Sequence, residues 1–371
     1  MAFQCGRYEA QDVLVQSDDV DLIRLRACPG FRFRESWQRR LLWRDVTQRL
    51  AYVNPGLEPV RLSQEYDLFI LVCQTYWDLL YVNAIQNWKD QCKVSVVWID
   101  ELWASLVPQY KYWIQSLKRF DHIVLGMNGT VDAVSRAIGR PCHYVPGAVD
   151  ALRFTPLPTP PERVVDVYSI GRRWEGIHQA LLKKSAAQQI FYIHETLQGG
   201  ESQVSDPQQH RQMFANLAKR SRYFMVAPGK VNVPEETQGQ VEVGFRYFEG
   251  CAAGTIMLGQ APRCEPFRQM FDWPDAVVEI ATSGADLEST MQVLNADPDR
   301  LAEISRRNSV EALLRHDWIY RWKRVLEIAG VSPSEATLAR EQTLANTASV
   351  GATFAPKSAA AMHESLPQVN L

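Results

Sequence analysis

The residues with the clearest chemical potential lie around Glu249, in the stretch Val241 to Leu258. Apolar residues recur around it at helical spacing, at Phe245, Phe248, Ala252 and Ala253. Gly254 is placed to end this helix, and a short apolar run, which predicts a buried strand, follows it. A carboxylate accepts two hydrogen bonds, and the two adjacent hydroxyls of a ribose can donate them. The pattern therefore favours a nucleotide site beside a helix that leads into an α/β sheet.

A second candidate is the loop Ser169-Ile170-Gly171-Arg172-Arg173-Trp174, which lies between a predicted strand and a predicted helix. Gly171 allows a ligand to approach the backbone, and the N-terminus of a helix favours anions. Arg172 and Arg173 can pair with a diphosphate, because a planar guanidinium binds phosphate oxygens in a bidentate manner. The alternative is two solvated surface arginines, and we expect one of the two to have only that role.

Two further cations belong to the same region. Arg246 precedes Glu249 by one helical turn, so it can either pair with that carboxylate or reach a diphosphate, and the sequence favours neither. Lys230 follows a predicted strand that ends near Ala227, which places it at the edge of a sheet where ligands bind.

The elements that must position these residues form two series of alternating strands and helices. The first series has predicted strands at 22–25, 67–72, 94–99, 122–125 and 142–145, with helices at 76–89 and 128–138 among the segments between them. The second has strands at 164–170, 190–193, 223–227, 255–258 and 276–280. Repeated strand-helix-strand units predict parallel sheets covered on both faces.

The proline-rich run at 156–161 predicts a linker, so we expect domains at 1–155 and 156–331. Residues 332–371 are rich in Ala, Ser and Thr without sustained periodicity, which favours a largely disordered tail. Two such domains leave a cleft between them, and the carboxyl ends of the strands of both sheets can face this cleft.

Composition excludes several classes of protein. The 371 residues are 46% hydrophobic and 22% charged, as in a soluble globular protein. A net charge of -2 gives no case for nucleic-acid binding. No apolar run is long enough to span a membrane, no secretory signal is visible, and seven dispersed cysteines favour a reducing cytoplasm. The arginine-rich run from Arg24 to Arg49 suits an anionic acceptor or lipid surface, although a solvated amphipathic helix is the simpler interpretation.

The segment from Glu249 to Met257 resembles the nucleotide-binding signature E-A-x-A-x-G-x-P-V of group 1 glycosyltransferases. Gly244, Arg246 and Glu249 also fit the shorter G-x-R-x-x-E version found in a subgroup. The family's first glutamate would fall at Val241, and the nearest acid, Glu242, is one position away. A second resemblance is the segment 146–156, which follows the P-x-G-V-D-x-x-x-F-x-P pattern that ends the first domain of this family, with Ala148 where the family has Gly.

The resemblance implies the GT-B fold, an α/β architecture of two Rossmann-like doubly wound parallel-sheet domains. It implies transfer of a sugar from a nucleotide diphosphate sugar to an acceptor hydroxyl, with retention of configuration, no metal and no further cofactor. The donor would be held by Gly171, Arg172, Arg173, Lys230, Gly244, Arg246 and Glu249.

The family often carries a polar pair where a first-domain strand ends, and here that strand ends in Asp100 and Glu101. Both are candidates to orient or deprotonate the acceptor hydroxyl, and capping of a helix N-terminus is an equally good interpretation. The acceptor class, glycan, lipid or protein, stays open, as does peripheral membrane contact. Two other functions remain possible: a degenerate GT-B module that binds a sugar or protein, and a nucleotide-sugar epimerase.

Overall fold

The structure, a computed structural model, describes residues 5–44, 46–195, 204 and 206–353. Within these ranges the chain forms two parallel β-sheets with helices between the strands. The predicted α/β class is therefore confirmed.

The first sheet has four parallel strands in sequential order. They are β1 (Tyr66–Thr75), β2 (Cys92–Glu101), β3 (His122–Leu125) and β4 (His143–Tyr144). Val97 and Ile99 of β2 pack on one face, against the helices of this half, whereas Val96 and Trp98 point to the other. Alternate residues of a strand face opposite sides, so a strand buried on both faces is apolar throughout.

The second sheet has five parallel strands in the order β6-β5-β7-β8-β9. They are β5 (Val165–Ser169), β6 (Tyr192–His194), β7 (Ser221–Val226), β8 (Ile256–Gly259) and β9 (Val278–Glu279). The order reverses between β5 and β7, where crossovers leave toward opposite sides. Such a switch point opens a crevice at the carboxyl ends of the two strands.

The helices surround these sheets. Those of the first part are α1 (Cys5–Ser17), α2 (Phe31–Trp43), α3 (Trp88–Gln91), α4 (Lys111–Ser116), α5 (Val131–Ile138) and α6 (Ala151–Phe154). The next are α7 (Glu175–Ala186), α8 (Pro207–Lys219), α9 (Pro234–Thr237), α10 (Phe245–Ala252) and α11 (Glu265–Met270). The chain continues with α12 (Leu287–Asn295), α13 (Pro298–Arg315), α14 (Trp318–Ala329) and α15 (Glu335–Thr353). Short 3-10 helices, including Gln48–Tyr52, Tyr76–Ala84 and Asn128–Thr130, complete the connections.

Two sequence predictions of local structure were wrong. The segment 22–25 is not a strand. The single helix predicted at 76–89 is a 3-10 helix followed by the short α3, and the break falls at Ile85, which is extended and forms a β-bridge with Val60.

The tail prediction also needs correction. Residues 335–353 form α15, whereas residues 354–371 lie outside the described part. Leu344 and Ala348 are buried against the neighbouring helices. This packing stabilises the helix although its sequence has no sustained periodicity. Arg340 adds ion pairs to two buried carboxylates, Asp150 (2.7 Å) and Asp317 (2.8 Å).

Two helices join distant parts of the chain. α1, at the start of the chain, packs on α8, α14 and α15. α14 packs on β2 and β3, where the rings of Trp318 and Trp98 lie 6.2 Å apart. The face of the first sheet that carries Val96 and Trp98 is thus covered by α14, which lies far along the chain. The domain boundary at 155/156 stays a prediction.

We expect Arg340→Ala to lower the free energy of unfolding by about 3 kcal/mol, because it leaves two buried carboxylates without their counter-charge. The measurement is urea-induced unfolding. Arg324→Ala is the matched control, since Arg324 lies on α14 with its side chain 52% exposed and pairs only at the surface. Equal destabilisation by the two substitutions would contradict the role given to Arg340.

Candidate functional site

The candidate site lies at the switch point of the second sheet, where β5 and β7 end side by side. Gly171 follows β5 with a φ of +79°, a conformation that favours glycine. A Cβ atom at this position would also lie 3.3 Å from Nη2 of Arg246. Gly171 therefore lets the chain turn and lets the guanidinium lie against the backbone.

Arg246 projects from the first turn of α10 toward this loop. Its Nε donates to the carbonyl oxygen of Ile170 (3.2 Å), and its Nη1 donates to a carboxylate oxygen of Glu249 (2.5 Å). The side chain is 28% exposed, so the guanidinium has both a fixed orientation and access to solvent. The intrahelical pair predicted as one alternative is present, and the exposed part of Arg246 remains able to meet an anion.

Glu249, the residue from which the sequence argument began, is buried, with a side chain only 1% exposed. One oxygen accepts from Arg246 and the other from Nη1 of Arg211 on α8. Burial raises the pKa of Glu249, but the charges of Arg246 and Arg211 outweigh burial and hold its pKa below the usual value. Direct contact with a ribose would require one of these ion pairs to open.

The ion pairs continue beyond Arg211. Its Nε and Nη2 donate to the two oxygens of Glu9 on α1, at 2.7 and 2.9 Å. Glu9 also accepts from the backbone N–H of Asp150 (2.8 Å) and from the indole of Trp318 (3.2 Å). We call Glu9, Arg211, Glu249 and Arg246 the buried charge chain.

The two arginines after Gly171 have different surroundings. Arg172 is exposed and donates to the side-chain oxygen of Asn232 (2.8 Å). Arg173 is half-buried and donates to the backbone oxygen of Glu195 (3.0 Å). Burial raises the pKa of Glu195, but a hydrogen bond from His210 and the charge of Arg246 lower it overall. Arg246 therefore acts on the carboxylate of Glu195, whereas Arg173 contacts the backbone of the same residue, at the ends of β5 and β6.

Lys230 connects the two halves of the molecule. It follows β7 with a φ of +50°, and its Nζ lies 2.7 Å from Oε1 of Glu101, at the end of β2. A second ion pair joins it to Glu236. Glu101 also accepts from the indole of Trp103 (3.1 Å) and keeps about a third of its side chain exposed. Glu101 and Lys230 thus face each other across the cleft between the sheets.

Asp100 is turned away from that cleft. It is buried, pairs with Arg7 of α1 and accepts from the side chain of Gln74 (3.0 Å). The next helical segment begins after Trp103, without a side-chain cap, so helix capping by Asp100 or Glu101 was a wrong alternative. Asp100 cannot meet an acceptor hydroxyl unless its pair with Arg7 opens.

The segment before α10 bridges the cleft. Gly244 lies at the N-terminus of α10, and a Cβ atom there would be 3.6 Å from the carbonyl oxygen of Ala227, an ordinary van der Waals contact, so this position has room for a side chain. Glu242 is buried and accepts from the backbone N–H groups of Asn128 (3.1 Å) and Gly129 (2.8 Å) in the first half. Glu242 is the acid nearest in sequence to the position of the family's first glutamate, and it contacts a loop of the first sheet.

A cavity of about 430 Å³ opens next to this bridge. Ser105 and Asn128 line it from the first half, and Gln240 and Glu265 from the second. Its volume lies in the usual range for small-molecule sites. Among the described residues, no group of three or more His, Cys, Asp or Glu side chains is placed to hold a metal ion. None of the described helices is long and apolar enough to cross a bilayer.

Glu9, Arg211 and Glu195 were not predicted from the sequence. A signal for Arg211 was available, because it shares helical spacing with Phe214, Ala215 and Ala218, all buried on one face of α8. A charged residue on a buried face must find a partner. Its two partners, however, lie 38 residues away in sequence at Glu249 and 202 residues away at Glu9.

Two Rossmann-like parallel sheets that face each other across a ligand-sized cleft define the GT-B class of architecture, as expected. Residues 164–327 match a family model described as glycosyl transferase-like. The match includes the whole second sheet and α10, which carries Arg246 and Glu249. A search of curated proteins finds no match to the chain. The family match supports glycosyl transfer in general, and the narrower group 1 assignment stays a prediction.

We expect Glu249→Gln to lower the free energy of unfolding at pH 7 by about 3 kcal/mol, because Arg211 loses a buried counter-charge. Since the pKa of Glu249 is lower in the folded than in the unfolded protein, its ionic contribution is present above about pH 4.3 and is lost as pH falls through the folded-state pKa.

The difference between wild type and Glu249→Gln should therefore shrink in acid, as measured by urea unfolding at a series of pH values. Glu327→Gln, at a side chain 68% exposed, serves as control and should differ little from wild type throughout. A Glu249→Gln difference that does not change with pH would show that the carboxylate acts through shape alone.

Proposed function

We propose that this protein transfers a sugar from a nucleotide diphosphate sugar to an acceptor hydroxyl, with retention of configuration and without a metal. The observation that carries the proposal is the convergence of Gly171, Arg173 and Arg246 at the switch point of the second sheet. This is where a parallel sheet binds ligands, and it lies inside the region that matches a glycosyl transferase-like family.

The donor diphosphate would lie over Gly171, between the two arginine-bearing elements. Arg246 supplies a fixed guanidinium, and Arg173 supplies another at the edge of the same loop. The N-terminus of α7, which follows this loop, adds its favourable dipole. These groups offset the negative charge that grows on the diphosphate as the glycosidic bond breaks. Arg172 is the more solvated of the two loop arginines and contributes less.

Glu249 enters the proposal in a changed role. Because both of its oxygens accept from arginines, we assign it as a positioning residue that holds Arg246 toward Gly171. Ribose binding by Glu249 remains an option only if an ion pair opens. The packing at Gly244 has room for a side chain, so its place in the donor site rests on the family resemblance.

The acceptor would enter from the first half of the molecule. Glu101 is the better candidate for orienting its hydroxyl, since Glu101 faces the cleft and Asp100 is occupied by Arg7. Lys230 holds Glu101 in place across the cleft. The bridge formed by Gln240 and Glu242 keeps the halves together, and such closure protects the donor from water.

The first test is thermal stabilisation by UDP, GDP, ADP and dTDP. We expect one nucleotide to raise the melting temperature of wild type, and Arg246→Ala to weaken its binding about 10- to 100-fold, the usual effect of losing a charge-assisted hydrogen bond. Arg211 still pairs with Glu249 in that variant, so the fold should persist. Arg268→Ala, at an exposed pair on α11, is the matched control.

Donor turnover separates the remaining functions. Consumption of the matching nucleotide sugar together with appearance of a new glycoside supports the transferase. Formation of a new sugar epimer without any acceptor would contradict the transferase function and favour a nucleotide-sugar epimerase. Nucleotide binding without turnover would favour a binding module. No stabilisation by any nucleotide would overturn the donor site.

A further inference from the structure

The outward face of α2 carries an unusual set of side chains. Phe33, Trp37, Arg40 and Arg44 follow one another at spacings of four, three and four residues, which places them on one side of the helix. All four are exposed, Phe33 by 68% and Trp37 by 48%. Their side chains contact each other: the Phe33 and Trp37 rings are 6.0 Å apart, and the Arg40 guanidinium lies 5.8 Å from the centre of the Trp37 ring. We call these four residues the α2 stripe.

Further exposed residues of the same kinds surround the α2 stripe. Trp43 is 57% exposed and Val46 is 59% exposed at the end of the helix. The side-chain amide of Gln38 donates to the carbonyl oxygens of Leu50 and Val53, and so holds the segment 48–53 beside α2. Tyr52 and Val53 of that segment are themselves exposed. The apolar surface therefore extends beyond a single side chain and requires an explanation.

The opposite face of α2 fixes the orientation of the helix. Gln38 and Leu42 are buried. Glu35 accepts from Arg39 and from the hydroxyl of Tyr81, both at 2.5 Å, and the Arg39 guanidinium lies 4.8 Å from the centre of the Trp77 ring. Turning the aromatic residues inward would break these contacts. The exposure of the α2 stripe is thus built into the packing.

The charge of this region is opposite to that of the rest of the chain. Residues 24–49 contain eight arginines against Glu35 and Asp45, a formal charge of +6. The whole chain carries -2, so the remaining residues together carry -8. Glu35 is paired on the inner side of α2 and does not offset the arginines of the outer side. The segment that contains α2 is therefore strongly basic, whereas the remainder of the chain is acidic.

From these observations we infer that α2 docks the protein on an anionic lipid bilayer, with the helix lying in the plane of the interface. Aromatic rings enter the boundary between headgroups and acyl chains, where tryptophan is favoured, and arginines beside them meet the lipid phosphates. The 13 residues of α2 give a length of about 20 Å, suited to lying on a bilayer and too short to cross one. This inference does not depend on the proposed reaction.

A bilayer fits the α2 stripe better than an acidic protein or a polyanion does. Positive charge alone would attract a bilayer, an acidic protein or a polyanion. An anionic polymer, however, does not require the exposed aromatic rings along the side of this helix. A protein partner would need a complementary pocket for each ring, whereas the lipid interface accepts rings at any lateral position. Interfacial helices combine aromatic side chains that enter the lipid boundary with basic side chains that meet anionic headgroups, and α2 exposes both kinds.

The test is co-sedimentation of the full chain with vesicles of phosphatidylcholine alone or mixed with phosphatidylglycerol. We expect binding only to the mixed vesicles and weaker binding at high salt. R40Q/R44Q should reduce the partition coefficient about 25-fold, since each basic residue near the surface contributes about a factor of five. F33S/W37S should abolish binding with the arginines intact. Brominated acyl chains should quench tryptophan fluorescence in wild type, and this quenching should be reduced in W37S/W43S.

Two variants serve as controls. Phe191→Ser removes an aromatic ring that is 55% exposed in the second half, and R263Q/R268Q removes two exposed charges there. Both should bind vesicles as wild type does, and circular dichroism should show that every variant is folded. Absence of binding to mixed vesicles at low salt would overturn the inference. So would full binding by F33S/W37S, absence of quenching, or binding to heparin or RNA without binding to vesicles.

Discussion

The buried charge chain is the interaction on which most of the molecule depends. Arg211 lies at its centre between Glu9 and Glu249; burial lowers the pKa of Arg211, but the two carboxylates raise it above its usual value. Charges removed from water are tolerated only when their hydrogen-bonding capacity is met, so the three buried members, Glu9, Arg211 and Glu249, require one another. The buried charge chain begins at Glu9 on α1, continues through Arg211 on α8 and Glu249 on α10, and ends at Arg246 at the candidate site. The orientation of an exposed site residue is therefore set by a contact with the first helix of the protein.

A second set of buried charges meets this one at Asp150. Asp150 donates its backbone N–H to Glu9, and its carboxylate pairs with Arg340 of α15, which also holds Asp317. Burial raises the pKa of Asp317, and Arg340 opposes that shift. The segment where the chain passes from the first sheet to the second is thus fixed from both ends of the sequence. The Glu101–Lys230 pair and the Glu242 contact then bring the two halves together on the cleft side.

Sequence reasoning succeeded where the physical signal is local. The strands β1, β2 and β7 contain apolar runs at 68–73, 96–99 and 223–226, the pattern expected of strands in a parallel sheet that is covered on both faces. It failed where distant partners decide the outcome. The segment 22–25 has the composition of a strand but has no neighbouring strand to pair with, and α15 lacks periodicity but is held by Arg340 and by the burial of Leu344.

Some features of the candidate site likewise follow from local sequence, and others depend on distant parts of the chain. The sequence alone determined the α/β class, the loop glycine and arginines at 171–173, and the helical relation that pairs Arg246 with Glu249, because each depends on residues only a few positions apart. Only the tertiary structure decided which carboxylates are accessible. Asp100 and Glu101 are adjacent in sequence, and Glu249 looks as available as either. Alternation along β2 turns Asp100 inward to Arg7 and Glu101 outward to the cleft, and α8 brings Arg211 onto Glu249 from 38 residues away.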